Sequence, residues 1–258
     1  MNQVFVVVLV ISALFLSVLA FLEMGRRLGI LRRRDDEEGA DAGLGVIDGA
    51  IFGLMGLMIA FTFSGAGGRF DTRRQLIGQE ANAIGTAYLR LDLLSAEAQP
   101  ELKDDFRDYV DARLGFYKNL GLDWSSAWAE QARSEALQRK IWGEATAACK
   151  QEGPATTSLV LSSVNGMIDI TTAQIVAIQN HPPKAIYWGL LMLVLSSAFL
   201  AGYRMAQAKK PSWVHMIIYS AAMAAAIYVT LDFEYPRFGL IRIDPADQIL
   251  IDLRKNLK

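Results

Sequence analysis

The sequence has few of the residues that build disulfides, metal sites and catalytic centres. Its 258 residues include one cysteine, Cys149, and two histidines, His181 and His215. A single cysteine excludes an internal disulfide, and two isolated histidines do not form a pair at metal-ligand spacing. With 26 basic and 27 acidic residues, the chain also lacks the positive charge that is typical of nucleic-acid binders. We therefore predict no enzyme, no metal, no cofactor and no nucleic-acid partner.

Long apolar runs are abundant. Apolar residues make up 52% of the chain and concentrate in four windows of 19 residues, at 4–22, 46–64, 185–203 and 213–231. A helix of that length measures about 28 Å, close to the roughly 30 Å hydrocarbon core of a bilayer. We predict four transmembrane helices in a lipid bilayer. Because no Lys or Arg precedes the first window, we interpret it as a retained span and not as a cleaved signal peptide.

The short loops predict how the spans are oriented. Cations in short loops favour the cytoplasmic side, whereas long domains are translocated largely regardless of their charge. The N-terminus, residues 65–184 and the tail are then expected on the outer face, although cations that flank residues 65–184 weaken this bias. The loop cations are Arg26, Arg27, Arg32, Arg33 and Arg34 after the first span, and Arg204, Lys209 and Lys210 after the third.

Residues between the second and third spans carry helical patterns. Phe70, Ile77, Ile84 and Leu91 recur every seven residues, a spacing typical of helices that pack on a partner helix. We predict an all-α protein without a sheet, in which 1–64 holds two spans, 65–184 is an extramembrane helical domain, 185–231 holds two more spans and 232–258 is a tail. The helices of the domain are expected near 69–94, 100–121, 126–150 and 154–179.

The tail ends in an amphipathic pattern. Ile249, Leu250, Leu253 and Leu257 share one helical face after the helix-starting Asp244-Pro245 pair. We expect this helix to pack on the helical domain, with binding to the membrane surface as the alternative.

Polar residues also share faces in the helical domain. Arg73 and Glu80 are seven residues apart beside the apolar row, which predicts a buried contact between helices, with surface ion pairs as the alternative. We predict a structural polar network that contains Glu80, Asn82, Asn165 and Asp169.

The second span combines small and large apolar residues. Small residues permit close approach of helices, so one face predicts helix packing, and it holds Gly45, Gly49, Gly53 and Gly56. The opposite face carries Leu54, Met58 and Phe61, which either meet lipid and other helices or line a hydrophobic constriction in a ring of subunits. Asp48, near the start of the span, lies either at the interface or in a water-filled vestibule.

Several segments resemble the bacterial bestrophin-like domain family, long described as a domain of unknown function. The segments are RFDTRRQLI from Arg69, EANAIGTAYLRLDLL from Glu80, PATTSLVL from Pro154, NGMIDI from Asn165 and DFEYPRFGLIR from Asp232. The resemblance covers nearly the whole chain and implies a multi-pass protein of the bacterial inner membrane.

The family is remotely similar to bestrophins, which are pentameric ligand-gated channels, mainly for anions. That likeness implies a homo-oligomer, with a pentamer favoured, and a pore lined by the second span. Leu54, Met58 and Phe61 are then candidates for the neck, and Asp48, Arg69, Arg73 and Arg74 are candidates for the pore mouth. The bestrophin aromatic signature and acidic calcium-binding cluster are not found here, and bestrophins keep their helical domain in the cytosol. The permeant ion is not predicted. The alternative is a non-conducting membrane scaffold or sensor whose helical domain binds a protein or a ligand.

Overall fold

The computed structural model describes residues 3–35, 44–208 and 212–257, and within these ranges the chain is helical and contains no strand. The α-helices are α1 (Gln3–Asp35), α2 (Leu44–Arg90), α3 (Gln99–Asn119), α4 (Trp124–Cys149), α5 (Pro154–Gln179), α6 (Lys184–Met205), α7 (Trp213–Glu234) and α8 (Gln248–Asn256). Short 3-10 turns follow α2 at Leu91–Leu93 and precede α8 at Asp244–Asp247. The predicted all-α fold is confirmed. Lys209 and Lys210, two of the predicted loop cations, lie outside the described residues.

Four segments of the described chain are long and apolar enough to cross a membrane. They lie within Phe5–Arg33, Gly45–Leu93, Pro154–Met205 and Trp213–Glu234. The predicted four spans are confirmed in number, and each predicted window falls within one of these segments or begins one residue before it.

The helices form two compact units. We call residues 1–68 and 181–241 the membrane unit, and residues 69–180 and 242–258 the helical unit. The predicted tail is therefore divided, because residues 232–241 belong to the membrane unit and only the later ones to the helical unit.

Glycines hold the membrane unit together at the contact between α1 and α6. A methyl group on Gly202 of α6 would overlap the main-chain carbonyl of Leu22, and one on Gly25 of α1 would overlap the carbonyl of Phe199. Gly29, one turn further along α1, has no room for a side chain either, because Tyr203 O and Ala206 Cβ would both lie 2.7 Å from it. The two backbones can approach this closely only where no side chain intervenes.

The helical unit has its own apolar core. Ile84, Leu91, Phe106 and Phe116 are fully buried in it. Local signals set several helix ends: Pro lies in the first turn of α3 and of α5, and Asp123 caps α4 by accepting a hydrogen bond from Ser125 N at 3.0 Å. Gly121, with φ of 93°, follows the end of α3 as predicted. In the tail, Arg254 of α8 binds Asp111 of α3 at 2.7 Å and 2.9 Å.

One predicted break is absent. The sequence predicts separate helices at 46–64 and 69–94, whereas α2 runs unbroken from Leu44 to Arg90. Glycine inside a helix costs only about 1 kcal/mol relative to alanine, so the Gly65 to Gly68 cluster does not by itself end a helix that has buried residues before and after it, such as Met55 and Ile77. Ala66, inside this cluster, is fully buried.

Candidate functional site

Within the described part of the chain, the membrane unit leaves one side of α2 uncovered. Leu54 is 50% exposed and Phe61 is 66% exposed. A methyl group on Gly49, Gly53 or Gly56 would meet no atom within 4 Å. These glycines therefore do not support helix packing within one chain, in contrast to the glycines between α1 and α6. A methyl group on Gly45 would lie 3.6 Å from Arg204 Nη2, an ordinary van der Waals contact. Packing of this row against a second copy stays a prediction.

Met58 does not belong to the exposed apolar row. It is half-buried against the core of the membrane unit, close to the buried Met55, whose sulfur accepts a hydrogen bond from Ser197 Oγ at 2.8 Å. Leu57, which the sequence analysis did not select, is instead 50% exposed. The exposed row therefore consists of Leu54, Leu57 and Phe61. Only the position of the other membrane helices distinguishes Leu57 from Met58, since both are apolar and one residue apart.

Asp48, a predicted pore-mouth residue, is buried and paired within its own chain. Its Oδ2 accepts a hydrogen bond from Arg204 Nε of α6 at 2.6 Å. A carboxylate at this depth needs a partner, because an unpaired charge in an apolar environment costs several kcal/mol. Asp48 therefore joins α2 to α6 and is not a free charge in a vestibule.

The three arginines that follow the second span differ in their environments. Arg73 is buried and donates from Nε to Ala177 O at 3.0 Å and from Nη2 to Asn180 O at 3.1 Å. These carbonyls lie at the end of α5, where a cation is favourable. Arg73 therefore caps α5, and its place at a pore mouth stays a prediction. Arg69 is half-buried, and Arg74 is exposed.

Glu80 lies at the centre of a buried polar cluster, but its partners are not those predicted. Arg113 Nε of α3 donates to Glu80 Oε1 at 2.5 Å, and both side chains are fully buried. Tyr117 Oη and Gln174 Nε2 donate to Glu80 Oε2 at 2.6 Å and 2.9 Å. Gln131 Oε1 accepts from Arg113 Nη1 at 2.5 Å. We call Glu80, Arg113, Tyr117, Gln131 and Gln174 the buried cluster.

The electrostatics of the buried cluster keep the Arg113 guanidinium charged. Burial disfavours the charged guanidinium, but the adjacent Glu80 carboxylate outweighs this effect and raises the pKa of Arg113 above its usual value. Burial, together with the negative charge of Glu80, raises the pKa of Tyr117 well above its ordinary value. The phenol therefore stays neutral and donates its hydrogen to the carboxylate. The sequence signal for this cluster was Arg113 itself, a charged residue in line with Phe106, Tyr109 and Phe116.

The other members of the predicted polar network lie apart from it. Asn82 is exposed. Asn165 Nδ2 binds Asp169 Oδ2 at 2.7 Å, one turn along α5, and both residues are exposed. Asn165 and Asp169 therefore hydrogen-bond each other within α5, as neighbours four apart on one helix can.

The segment DFEYPRFGLIR, which begins at Asp232, is held at the end of α7 by hydrogen bonds. The Asp232 carboxylate accepts hydrogen bonds from the backbone N–H of Leu240, at 3.0 Å, and of Ile241, at 2.8 Å. Gly239 lies so close to this carboxylate that a methyl group there would overlap it. Glu234 is buried and binds His181 Nδ1 at 2.7 Å. These contacts fold residues 235–241 back onto α7 within the membrane unit.

The comparisons with known proteins agree with this architecture. The model of the Bestrophin-like domain matches residues 13–248. The chain belongs to the bestrophin-like family. No curated protein matches the bestrophin-like chain. As the four spans of a bestrophin-like fold require, it is a membrane-embedded helical protein.

Solved structures share the bestrophin-like fold at low sequence identity. A crystal structure of a bacterial bestrophin homologue from Klebsiella pneumoniae, carrying a point mutation, is 14% identical, with a TM-score of 0.68; the match covers 93% of this chain and 96% of that one. A crystal structure of a membrane protein, also a point mutant, is 14% identical, with a TM-score of 0.71 and coverage of 95% and 97%. At this identity the likeness establishes the fold alone.

Proposed function

We propose that copies of this chain assemble side by side in the membrane and enclose an ion-conducting pore lined by α2. The observation that carries the proposal is the side of α2 that residues 3–35, 44–208 and 212–257 leave uncovered, with a glycine row next to an apolar row. Three other glycines of the membrane unit, Gly25, Gly29 and Gly202, lie in the contact between α1 and α6. The row at Gly49, Gly53 and Gly56 is therefore free for a neighbouring copy.

The angular positions of the two rows fit a ring of subunits. At 100° per residue, Leu54, Leu57 and Phe61 lie about 100° around α2 from Gly49, Gly53 and Gly56. If the glycine row contacts an adjacent subunit, the apolar row faces inward. In a symmetric assembly these side chains form a stack of apolar rings. Narrow apolar rings exclude water and therefore block ions until the rings widen. We propose five copies, on the likeness to bestrophins alone.

We further propose that the pore prefers anions. Support comes from the family likeness and from Arg74, which is exposed on α2 after the neck. Asp71, exposed one turn earlier, acts against this preference, so reversal potentials in a salt gradient decide between anions and cations.

Planar bilayer recordings test conduction. We expect the purified protein to give unitary currents, and we expect Phe61→Ala and Leu54→Ala to raise the open probability, because smaller rings hold water more readily. Leu16→Ala on α1 is the matched control, since Leu16 is 59% exposed on a different helix. A monomer by native mass measurement, or currents unaffected by both α2 variants, would contradict the proposal. An oligomer without currents would instead favour the scaffold or sensor.

We also propose that the helical unit lies on the outer face of the membrane, on the evidence of the loop arginines. Ala136→Cys on α4 is expected to react with a membrane-impermeant maleimide in intact spheroplasts, because Ala136 is exposed. Ala208→Cys, exposed after α6, is the control and is expected to react only after permeabilisation. The natural Cys149 contributes little background, since it is buried and burial raises its thiol pKa. The reverse pattern of labelling would place the helical unit in the cytoplasm.

A further inference from the structure

The helical unit contains a groove of about 670 Å³ between α4 and α5, and buried polar side chains form part of its wall. Three polar residues that line it are more than nine-tenths buried: Gln131 is 4% exposed, Gln138 is 7% exposed and Thr171 is 3% exposed. Three exposed residues surround them and supply charge and apolar surface to the groove: Glu135, Arg139 and Trp142. The groove is separate from α2 and has no part in the proposed pore.

Hydrogen bonds fix the orientation of the Gln138 amide. The Thr171 hydroxyl donates to Met167 O at 3.3 Å, so it accepts from Tyr109 Oη at 2.8 Å. Both hydroxyl oxygens then accept from Gln138 Nε2, at 3.1 Å and 3.0 Å. The amide oxygen of Gln138 forms no hydrogen bond with residues 3–35, 44–208 or 212–257. An unpaired acceptor on the mostly buried Gln138 is therefore available in the groove wall to an N–H or O–H donor of a ligand.

Opposite charges one turn apart in the groove do not neutralise each other. Glu135 and Arg139 are four residues apart on α4, a spacing at which such side chains usually pair. Glu135 instead accepts a hydrogen bond from Gln131 Nε2 at 3.0 Å, and Gln131 is itself held by Arg113 of the buried cluster. Arg139 has no hydrogen bond or ion pair with any residue in the described part of the chain. The buried cluster thus holds the carboxylate away from the guanidinium and leaves both charges available.

We propose that this groove binds a small zwitterion with a hydrocarbon side chain, that is, an α-amino acid of the apolar class. Its ammonium group donates to the Glu135 carboxylate and to the Gln138 amide oxygen. Its carboxylate accepts from Arg139, whose planar guanidinium suits bidentate contact. Its side chain packs on Trp142 and Ile175, which supply the apolar wall.

Calorimetric titration of the detergent-solubilised full chain tests the site with three probes of similar shape. L-leucine carries both charges, isopentylamine lacks the carboxylate and 4-methylpentanoate lacks the ammonium group. We expect L-leucine to bind and each single-charge probe to bind at least about tenfold more weakly, because each loses one charge-assisted contact. Arg139→Gln is expected to weaken L-leucine binding by at least about tenfold and to leave the weak binding of isopentylamine unchanged.

Arg133→Gln is the matched control, since Arg133 lies on the same helix but does not line the groove. Circular dichroism of both variants must match the parent chain, which separates loss of the site from loss of folding. Absence of L-leucine binding up to 10 mM, on the order of the weakest ligands of small sites, would overturn the proposal. Equal affinity for L-leucine and 4-methylpentanoate would also overturn it, because the groove would then bind anions without recognising the ammonium group. Equal effects of Arg139→Gln and Arg133→Gln would overturn it as well.

Discussion

Arg113→Ala is expected to lower the free energy of unfolding by about 3–5 kcal/mol, because it leaves the fully buried Glu80 carboxylate without its cation. The loss extends beyond one pair. Arg113 also donates to Gln131 and to Tyr117 Oη, so three helices lose a shared partner. Circular dichroism of the detergent-solubilised chain during denaturant unfolding measures the change.

A double-mutant cycle separates the buried pair from the packing around it. Glu80→Met combined with Arg113→Met is expected to be less destabilising than the sum of the single changes, since two apolar side chains need no counter-charge. The partly exposed pair of Asp111 and Arg254 is the control, and Arg254→Ala is expected to cost less than about 1 kcal/mol. Equal costs for Arg113→Ala and Arg254→Ala would show that the buried pair does not stabilise the unit.

Gly202→Ala is expected to destabilise the membrane unit by about 3 kcal/mol, near the upper end of the range for overpacked sites. The added methyl group would lie 2.7 Å from the carbonyl carbon of Leu22, a main-chain atom that cannot rotate away as a side chain can. The contact of α1 with α6 must then widen and lose packing along its length. Thermal unfolding in detergent, followed by circular dichroism, gives the size of the effect.

Gly189→Ala on the same helix is the matched control. A methyl group there would meet no atom within 4 Å, so this variant is expected to be neutral or slightly more stable, because alanine favours helix. Gly53→Ala is expected to leave the stability of a single chain unchanged in the same way, while it weakens association if α2 packs on another copy. Similar melting curves for Gly202→Ala and Gly189→Ala would refute the close contact of α1 and α6.

Helices were predictable where a local signal sets their ends. The prolines of α3 and α5 and the glycine at position 121 act within one turn of the chain, and the structure begins or ends helices beside them. The helix break expected at Gly65 to Gly68 is absent because no strong local signal ends the helix there. Local preference there is weak, and packing of the continuous α2 outweighs it.

The candidate site was predictable only in part, because periodicity identifies faces without showing what covers each face. It separates the glycine row from Leu54 and Phe61, but it does not distinguish Leu57 from Met58. It places Arg73 and Glu80 on one face, whereas the structure pairs each with a helix that is more than 30 residues away in the chain. Ion pairs between distant segments depend on which segments fold together, and spacing within one helix carries no such information.

The amino-acid order alone determined the four spans, the helical character of the rest and the family, because apolar length and 3.6-residue periodicity are properties of neighbouring residues. Tertiary structure decided that Gly25 and Gly202 join helices while Gly49, Gly53 and Gly56 remain uncovered. It also decided that Asp48 pairs with Arg204 and that Arg73 caps α5. The physical reason is that burial and charge pairing depend on which helices pack together, and identical residue types acquire different roles from different neighbours.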